Sequence, residues 1–327
     1  DMARDGYLFD LNDALGADYL SEAYNQAWLD SGMVDGTLVG IWHNADVKSL
    51  VWYPKAEFEA AGYAIPETWD DLLALSDQIV ADGGVPWCIG IESATATGWP
   101  ATDWIEDIML RTTSPENYDK WTTGELKFNS PEVKNAFETM ANVFFNEDYV
   151  LGGTTGILTT NFGDAPLPLF DDPPGCFLHR QASFIPNFFP EGAVVGEDVD
   201  YFYLPPIDSA YGKPVLGSGS LLSMGVDNPA TREVMKFLAT PESVEVEVKE
   251  GLFVAPQNGV PQEWYPSEAL KGFAEILENA ETFRFDGSDL MPGAVGAGTF
   301  WTGVVDFVNG ADLDTVLASI DDSWPSE

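Results

Sequence analysis

The stretch SLVWYPKAEFEAAGYAIPETWDDLLALSDQI, residues 49–79, sets a strand and a helix side by side. SLVWY, residues 49–53, is a short run of apolar, aromatic and β-branched side chains, which reads as a strand. Further along, Thr68 opens a helix. Asp71 stands three residues on, as a capping box requires, Trp69, Leu72, Leu73, Ser76, Ile79 and Val80 mark one helical face, and Gly83 ends it.

The same alternation continues on both sides and predicts an α/β protein. TLVGIW (37–42), PWCIGI (86–91) and VLGSGSLLSMGV (215–226) read as strands. NSPEVKNAFETMANVFF reads as a helix capped by Ser130, with Pro131 in its first position and Val133, Ala136, Phe137, Met140, Ala141 and Phe144 inward. Pro229 and Pro241 each open a further helix, and the last starts near Asp312 with Leu313, Val316, Leu317 and Ile320 inward. Between 146 and 215 the chain is rich in Gly, Pro and aromatic residues with no helical period, the composition of recognition loops.

At 327 residues, 45% of them apolar, the chain exceeds what one core usually serves, so two lobes are expected. Its 54 Asp and Glu against 14 Lys and Arg give a net charge of −40, which repels phosphate and excludes nucleic acid and anionic lipid as partners. No apolar run approaches the roughly 18 residues of a membrane span. Two cysteines cannot make a Cys-rich zinc module, His43 and His179 are the only histidines, and no metal or cofactor is expected. Cys88 and Cys176 either form one disulfide across a long loop, if the protein is exported, or remain two small buried hydrophobes.

Catalytic motifs are weak. Carboxylate pairs such as Asp103/Glu106 and Asp286/Asp289 arise by chance among so many acids. Cys176 and His179 lie three apart, facing opposite ways on a strand, which argues against a nucleophile and base. GAVGAG, residues 293–298, follows Pro292 rather than a strand and is no dinucleotide fingerprint. Aromatic content is more telling, with 11 Trp, many beside Asp, Gly or Pro in loops. A sugar offers a C–H face and a rim of hydroxyls, so its site needs aromatic planes with charged or amide partners. Trp42, Trp99, Trp104 and Trp301 suit the first role, and Asp103, Arg180, Gln181, Ser218 and Asp289 the second.

The stretch 49–79, with its Tyr-x-Lys turn at 53–55 and Pro-x-Thr-Trp at 66–69, resembles the entry into the second lobe of sugar-type extracellular solute-binding proteins. GVPWCIGIESATATGWPATDWIEDIMLR, FGDAPLPLFDDPPGCFLHRQASFIPNFFPEG and RFDGSDLMPGAVGAGTFWTGVVDFVNG resemble the alpha-glucoside-binding branch. The resemblance implies a class II periplasmic-binding-protein-like fold, two α/β lobes with a hinge. Residues 1–45 would be the remainder of the first lobe, 46–212 the second, 213–282 a return to the first, and 283–327 a return to the second and the hinge. The family's opening strand, helix and strand have no counterpart before DMARDGYLFDLNDALG. A first lobe lacking its start, and poor stability for the chain alone, are therefore expected.

By the same resemblance Asp103 and Trp104 lie against the sugar, and His179, Arg180 and Gln181 belong to a cleft wall. Ser218 and Gly219 lie where the chain passes the cleft, and Phe300 and Trp301 stack on a ring. Cys88 would staple Cys176, with His179 packing from the other face. The implied activity is non-enzymatic: a monomer outside the cytoplasmic membrane, lipid-anchored through a missing N-terminus, captures an alpha-glucoside or other oligosaccharide by hinge closure and delivers it to ABC permease subunits. The alternatives are another sugar or a polyol in the same fold, a secreted glycoside hydrolase using Asp103 or Asp289, or an adhesion module.

Overall fold

The computed structural model describes residues 2–325 and divides into two compact units. The smaller takes residues 1–47 and 217–279, the larger 48–216 and 280–327, so the chain passes between them at 47/48, 216/217 and 279/280. Among the described residues no helix is long and apolar enough to cross a membrane.

In the smaller unit, strand Ile41–Val47 pairs antiparallel with Pro214–Leu222, from Ile41 opposite Leu222 to Val47 opposite Gly217. The run TLVGIW is not one strand. It breaks at Val39 and Gly40, where the chain doubles back so closely that a Cβ on Gly32 would meet the Gly40 carbonyl oxygen at 2.1 Å. Helix Pro229–Leu238 is capped by Asn228, and Pro241 opens a short 3₁₀ turn followed by Glu245–Lys249 rather than a second full helix.

The larger unit is built around strand Leu50–Pro54, every residue of it buried. It lies between two antiparallel neighbours, His179–Arg180 and Val199–Tyr203. Helix Trp69–Ala81 has the expected capping box: the Thr68 side chain accepts from the Asp71 N–H and the Asp71 carboxylate accepts from the Thr68 N–H. Trp69, Leu72, Leu75, Ser76 and Ile79 are buried and Leu73 and Val80 pack partly buried against the same core, so the expected face holds and Leu75 joins it. Helix Pro131–Phe144 and helix Leu313–Asp321 are capped by Ser130 and Asp312 as read from the sequence.

PWCIGI forms no strand. Trp87 makes single bridges to Val150 and Leu178, and Gly90 then packs so tightly that a Cβ would lie 2.6 Å from the Thr160 carbonyl oxygen. The region 146–215 holds one helix, Gly153–Thr159, several 3₁₀ turns, strands His179–Arg180 and Val199–Tyr203, and the start of Pro214–Leu222. Cys88 and Cys176 are joined by a disulfide, Cα atoms 5.6 Å apart, which pins residues 87–89 to the segment leading into His179–Arg180.

Candidate functional site

The larger unit's core helix, Trp99–Thr112, carries the chemistry. Apolar residues cover it on nearly every side, yet Asp103, Glu106, Asp107 and Arg111 fall at spacings that place them on one face. All four are completely buried. Burying charge is tolerable only where it is paired and hydrogen-bonded. Here the partners come from distant segments.

Lys48 Nζ donates to Asp103 Oδ1 at 2.8 Å and to Asp286 Oδ2. Arg180 Nη2 donates to Asp107 Oδ2 at 2.9 Å, and its Nη1 lies 3.7 Å from Asp103 Oδ2. Arg111 pairs with Asp107 Oδ1 and donates through Nη2 to the Leu204 carbonyl at 3.0 Å. Ser49 Oγ donates to Asp107 Oδ1 at 2.8 Å and accepts the Leu216 N–H at 3.0 Å. Glu106 accepts the N–H groups of Gly287 and Ser288 at 2.8 and 3.1 Å, at the start of the short helix Gly287–Leu290 that Asp286 caps.

Four carboxyls thus face three cations, and the excess favours the protonated form of Glu106 and Asp103. Burial, reinforced by the Asp286 charge, pushes Glu106 well above the usual carboxylate range. Burial also lifts Asp103 to about 6 against the pull of Lys48. Burial pushes Asp286 up, but the charge and hydrogen bond of Lys48, with bonds from Ser288 and the Asp289 N–H, together leave it below its ordinary value. The ammonium of Lys48 stays firmly protonated, since Asp103 and Asp286 overcome its desolvation. Oxygens of Asp103, Glu106 and Asp286 lie within 4.8 Å of one another, a grouping that could hold a metal ion, but Lys48 already supplies the cation.

Above this network stand two partly exposed indoles, Trp99 and Trp301. Lys48 Nζ lies 5.4 Å from the centre of the Trp99 ring. Trp301 Nε1 donates to Ser288 Oγ at 3.4 Å, and Ser288 Oγ donates to Asp286 Oδ1 at 2.8 Å. Gly98, with φ of +112°, lets the two segments meet: a Cβ there would lie 2.4 Å from the Trp301 carbonyl oxygen. Asp289 is exposed on the same short helix. Crowding by packed atoms, and then the Asp286 charge, push its carboxyl to about 7.

The structure therefore sorts the expected ligand residues. Trp99, Trp301 and Asp289 reach the surface of the larger unit. Asp103, Arg180 and Gln181 lie beneath it, closed from solvent; Asp103 pairs with Lys48, Arg180 with Asp107, and Gln181 Oε1 accepts the Ala182 N–H at 2.9 Å. Asp103 Oδ2 and Arg180 Nε are buried without a hydrogen-bond partner among the described residues.

Trp104 and Phe300, expected to stack on a ligand, are core residues. Trp104 packs edge-on against Trp87 and Phe144, Phe300 against Trp121 and Phe128. Trp42 is likewise sealed in the smaller unit, its Nε1 donating to Ser31 Oγ at 2.8 Å. Ser218 and Gly219 are half-buried there. Gly219 serves the strand pair, since a Cβ would lie 2.1 Å from the Asn44 carbonyl oxygen.

His179 and Arg180 alternate across their short strand. His179 Nδ1 donates to the Cys88 carbonyl at 2.9 Å, and burial lowers its pKa to about 4, so the ring stays neutral. Arg180 turns to the acids. Sequence reading missed Lys48 as well as the joint role of Glu106, Asp107 and Arg111; the signal was the 103, 106, 107, 111 spacing inside an otherwise apolar helix.

A pH dependence follows. Asp103 and Asp289 keep a proton in the folded state at pH values where an unfolded chain, titrating near 3.8, has lost it. The folded state then binds more protons, so this part of the stability is complete below about 4 and is lost as pH rises through 6 and 7. The melting temperature is expected to be higher at about pH 5 than at about pH 8, and Asp289→Asn to flatten that slope. Parallel profiles for the two proteins would remove Asp289 from the account.

Comparison with known proteins places the chain. Residues 1–245 match the family described as bacterial extracellular solute-binding protein. The osmoprotective compounds-binding protein GgtB of Synechocystis sp. is 48% identical over 99% of this chain and 77% of its own length. The alpha-glucosides-binding periplasmic protein AglE of Rhizobium meliloti is 47% identical over 100% of this chain and 73% of its own. Among solved structures, the solute receptor AcbH superposes with a TM-score of 0.81 at 20% identity, covering 98% of this chain and 80% of its own. A chitin oligosaccharide binding protein gives 0.80 at 20% identity, covering 98% and 78%. The fold is theirs, and by its sequence the chain belongs to the bacterial extracellular solute-binding proteins, which act outside the cytoplasm as non-enzymatic binding components of ABC importers.

Proposed function

We propose that this protein captures a neutral polyhydroxylated solute, an alpha-glucoside in the first instance, as a monomer, and hands it to the membrane subunits of an ABC importer. Its two units act as the two lobes of the class II fold, and capture proceeds by hinge closure, which a ligand favours in proportion to the contacts it gains in the closed state. Attachment through a lipid at an N-terminal segment belongs to the same proposal.

The observation that carries the reading is the pair of partly exposed indoles, Trp99 and Trp301, whose segments meet at Gly98, with the exposed Asp289 carboxyl next in sequence to Ser288, the partner of Trp301. Flat rings receive the C–H face of a sugar, and a carboxyl within reach of its hydroxyls binds them strongly. The net charge of −40 disfavours an anionic ligand. The names of GgtB and AglE, osmoprotective compounds-binding and alpha-glucosides-binding proteins, point to the same chemistry.

Calorimetric titration against maltose, trehalose, sucrose, maltotriose and sorbitol tests it. Saturable one-to-one binding of an alpha-glucoside, with the sugar recovered intact, is expected; silence from the folded protein across the panel would overturn the assignment, and turnover would favour a hydrolase. Trp99→Ala and Trp301→Ala are each expected to weaken binding roughly 10- to 100-fold, the loss of about 1.5–3 kcal/mol of ring burial and stacking. Wild-type affinity in both variants would put the ligand elsewhere.

A further inference from the structure

The buried network does more than fill space beneath the two indoles. Lys48 is the first residue of the larger unit after the chain enters it at 47/48. Its backbone N–H donates at 2.8 Å to the carbonyl of Leu216, the last residue before the chain leaves at 216/217. Its ammonium is held by Asp286, close behind the third passage at 279/280, and by Asp103 on the core helix. One residue, through its backbone N–H at two passages and its ammonium at the third, therefore joins the inner ends of all three.

The same side chain supports both indoles. It lies under the Trp99 ring, and it reaches Trp301 through Asp286 and Ser288 in two further hydrogen bonds. The bonds from Lys48 to Asp286 and from Ser288 to Asp286 are charge-assisted and the three residues are buried, so displacement of either ring, through the longer Trp301–Ser288 bond or the cation over Trp99, is opposed by a fixed support.

We propose that Lys48 is a positioning residue through which Trp99 and Trp301 act on the three segments where the chain passes between its units. A solute that settles on the rings then alters the passages through Asp286 and Lys48, and motion at the passages alters the rings, because coupling is reciprocal. The role of the rings as a solute platform rests on the function proposed above; the link from rings to passages does not.

Amide hydrogen exchange read by mass spectrometry tests the link without any ligand. Ser288→Ala removes the bond from Trp301 while leaving the ion pairs of Lys48 in place. It is expected to speed exchange at least tenfold in peptides covering 46–50 and 214–218 and to leave helix Pro131–Phe144 unchanged. Lys48→Arg, which keeps the charge, retains wild-type protection. Unchanged passage peptides in Ser288→Ala, or equal acceleration everywhere as in plain destabilisation, overturns the proposal.

A second arm adds maltose or trehalose. If the sugar binds, it slows exchange at 46–50 and 214–218 in the wild type, and far less in Ser288→Ala; binding that leaves the wild-type passages untouched also overturns the proposal. If neither sugar binds, the proposed ligand class falls, and the sugar-free arm still decides the coupling.

Discussion

Lys48→Met is expected to cost about 3–5 kcal/mol of folding stability, because it strands buried Asp103 and Asp286 without their cation. The methionine fills much of the same volume, so little of the loss comes from packing. What remains is two carboxyls a few ångströms apart in a dry interior, and each answers by holding its proton more tightly. That fixes the sign of the pH effect. Raised folded-state values mean the variant regains stability on acidification, so its deficit shrinks as pH falls, and Lys48→Met/Asp286→Asn recovers part of the loss at neutral pH. Urea unfolding at two pH values measures all of this. A deficit below about 1 kcal/mol, the value of an exposed pair, would mean that solvent reaches the network.

Removal of the Cys88–Cys176 disulfide is the second large effect. The bridge spans 88 residues, and closing a loop of that length in the unfolded chain corresponds to about 4–5 kcal/mol in the chain-entropy account. At about 2–4 °C per kcal/mol, reduction or a Cys88→Ala/Cys176→Ala double variant is expected to lower the melting temperature by about 10 °C or more. The effect has a local component as well. The Cys88 N–H donates to the Leu178 carbonyl at 2.8 Å and the Cys88 carbonyl accepts from His179, so the bridge fixes the segment that aims Arg180 at Asp107. A shift of under about 2 °C would show that the surrounding hydrogen bonds hold this corner without it.

Much of the fold was legible because its signals are local. Thr68 and Asp71, Ser130 with Pro131, and Asp312 announce helix starts within one turn of chain, and each appears as read. PWCIGI misled because apolar composition alone cannot distinguish a strand from an extended segment making single bridges. The site was only half legible. Trp99 and Trp301 could be proposed from type and setting, but nothing in type separates them from Trp42 and Trp104, since a ring is exposed or sealed by what packs on it from elsewhere. Lys48 lies 55 residues from Asp103 and 238 from Asp286, and no pattern along the chain encodes a meeting at such separations.

The buried network also changes what the outside of the molecule looks like. Three of the 14 Lys and Arg are consumed inside, alongside four of the 54 acids, so 11 cations and 50 carboxylates of the chain remain outside the network. Such a surface is never bare: it gathers an atmosphere of small cations whose depth is about 8 Å at physiological ionic strength and about 30 Å at 0.01 M. The counter-ions are thus a working component of the folded protein, and dilution of the medium alone, with no change in any internal contact, draws them away and sets like charges against one another across the whole surface.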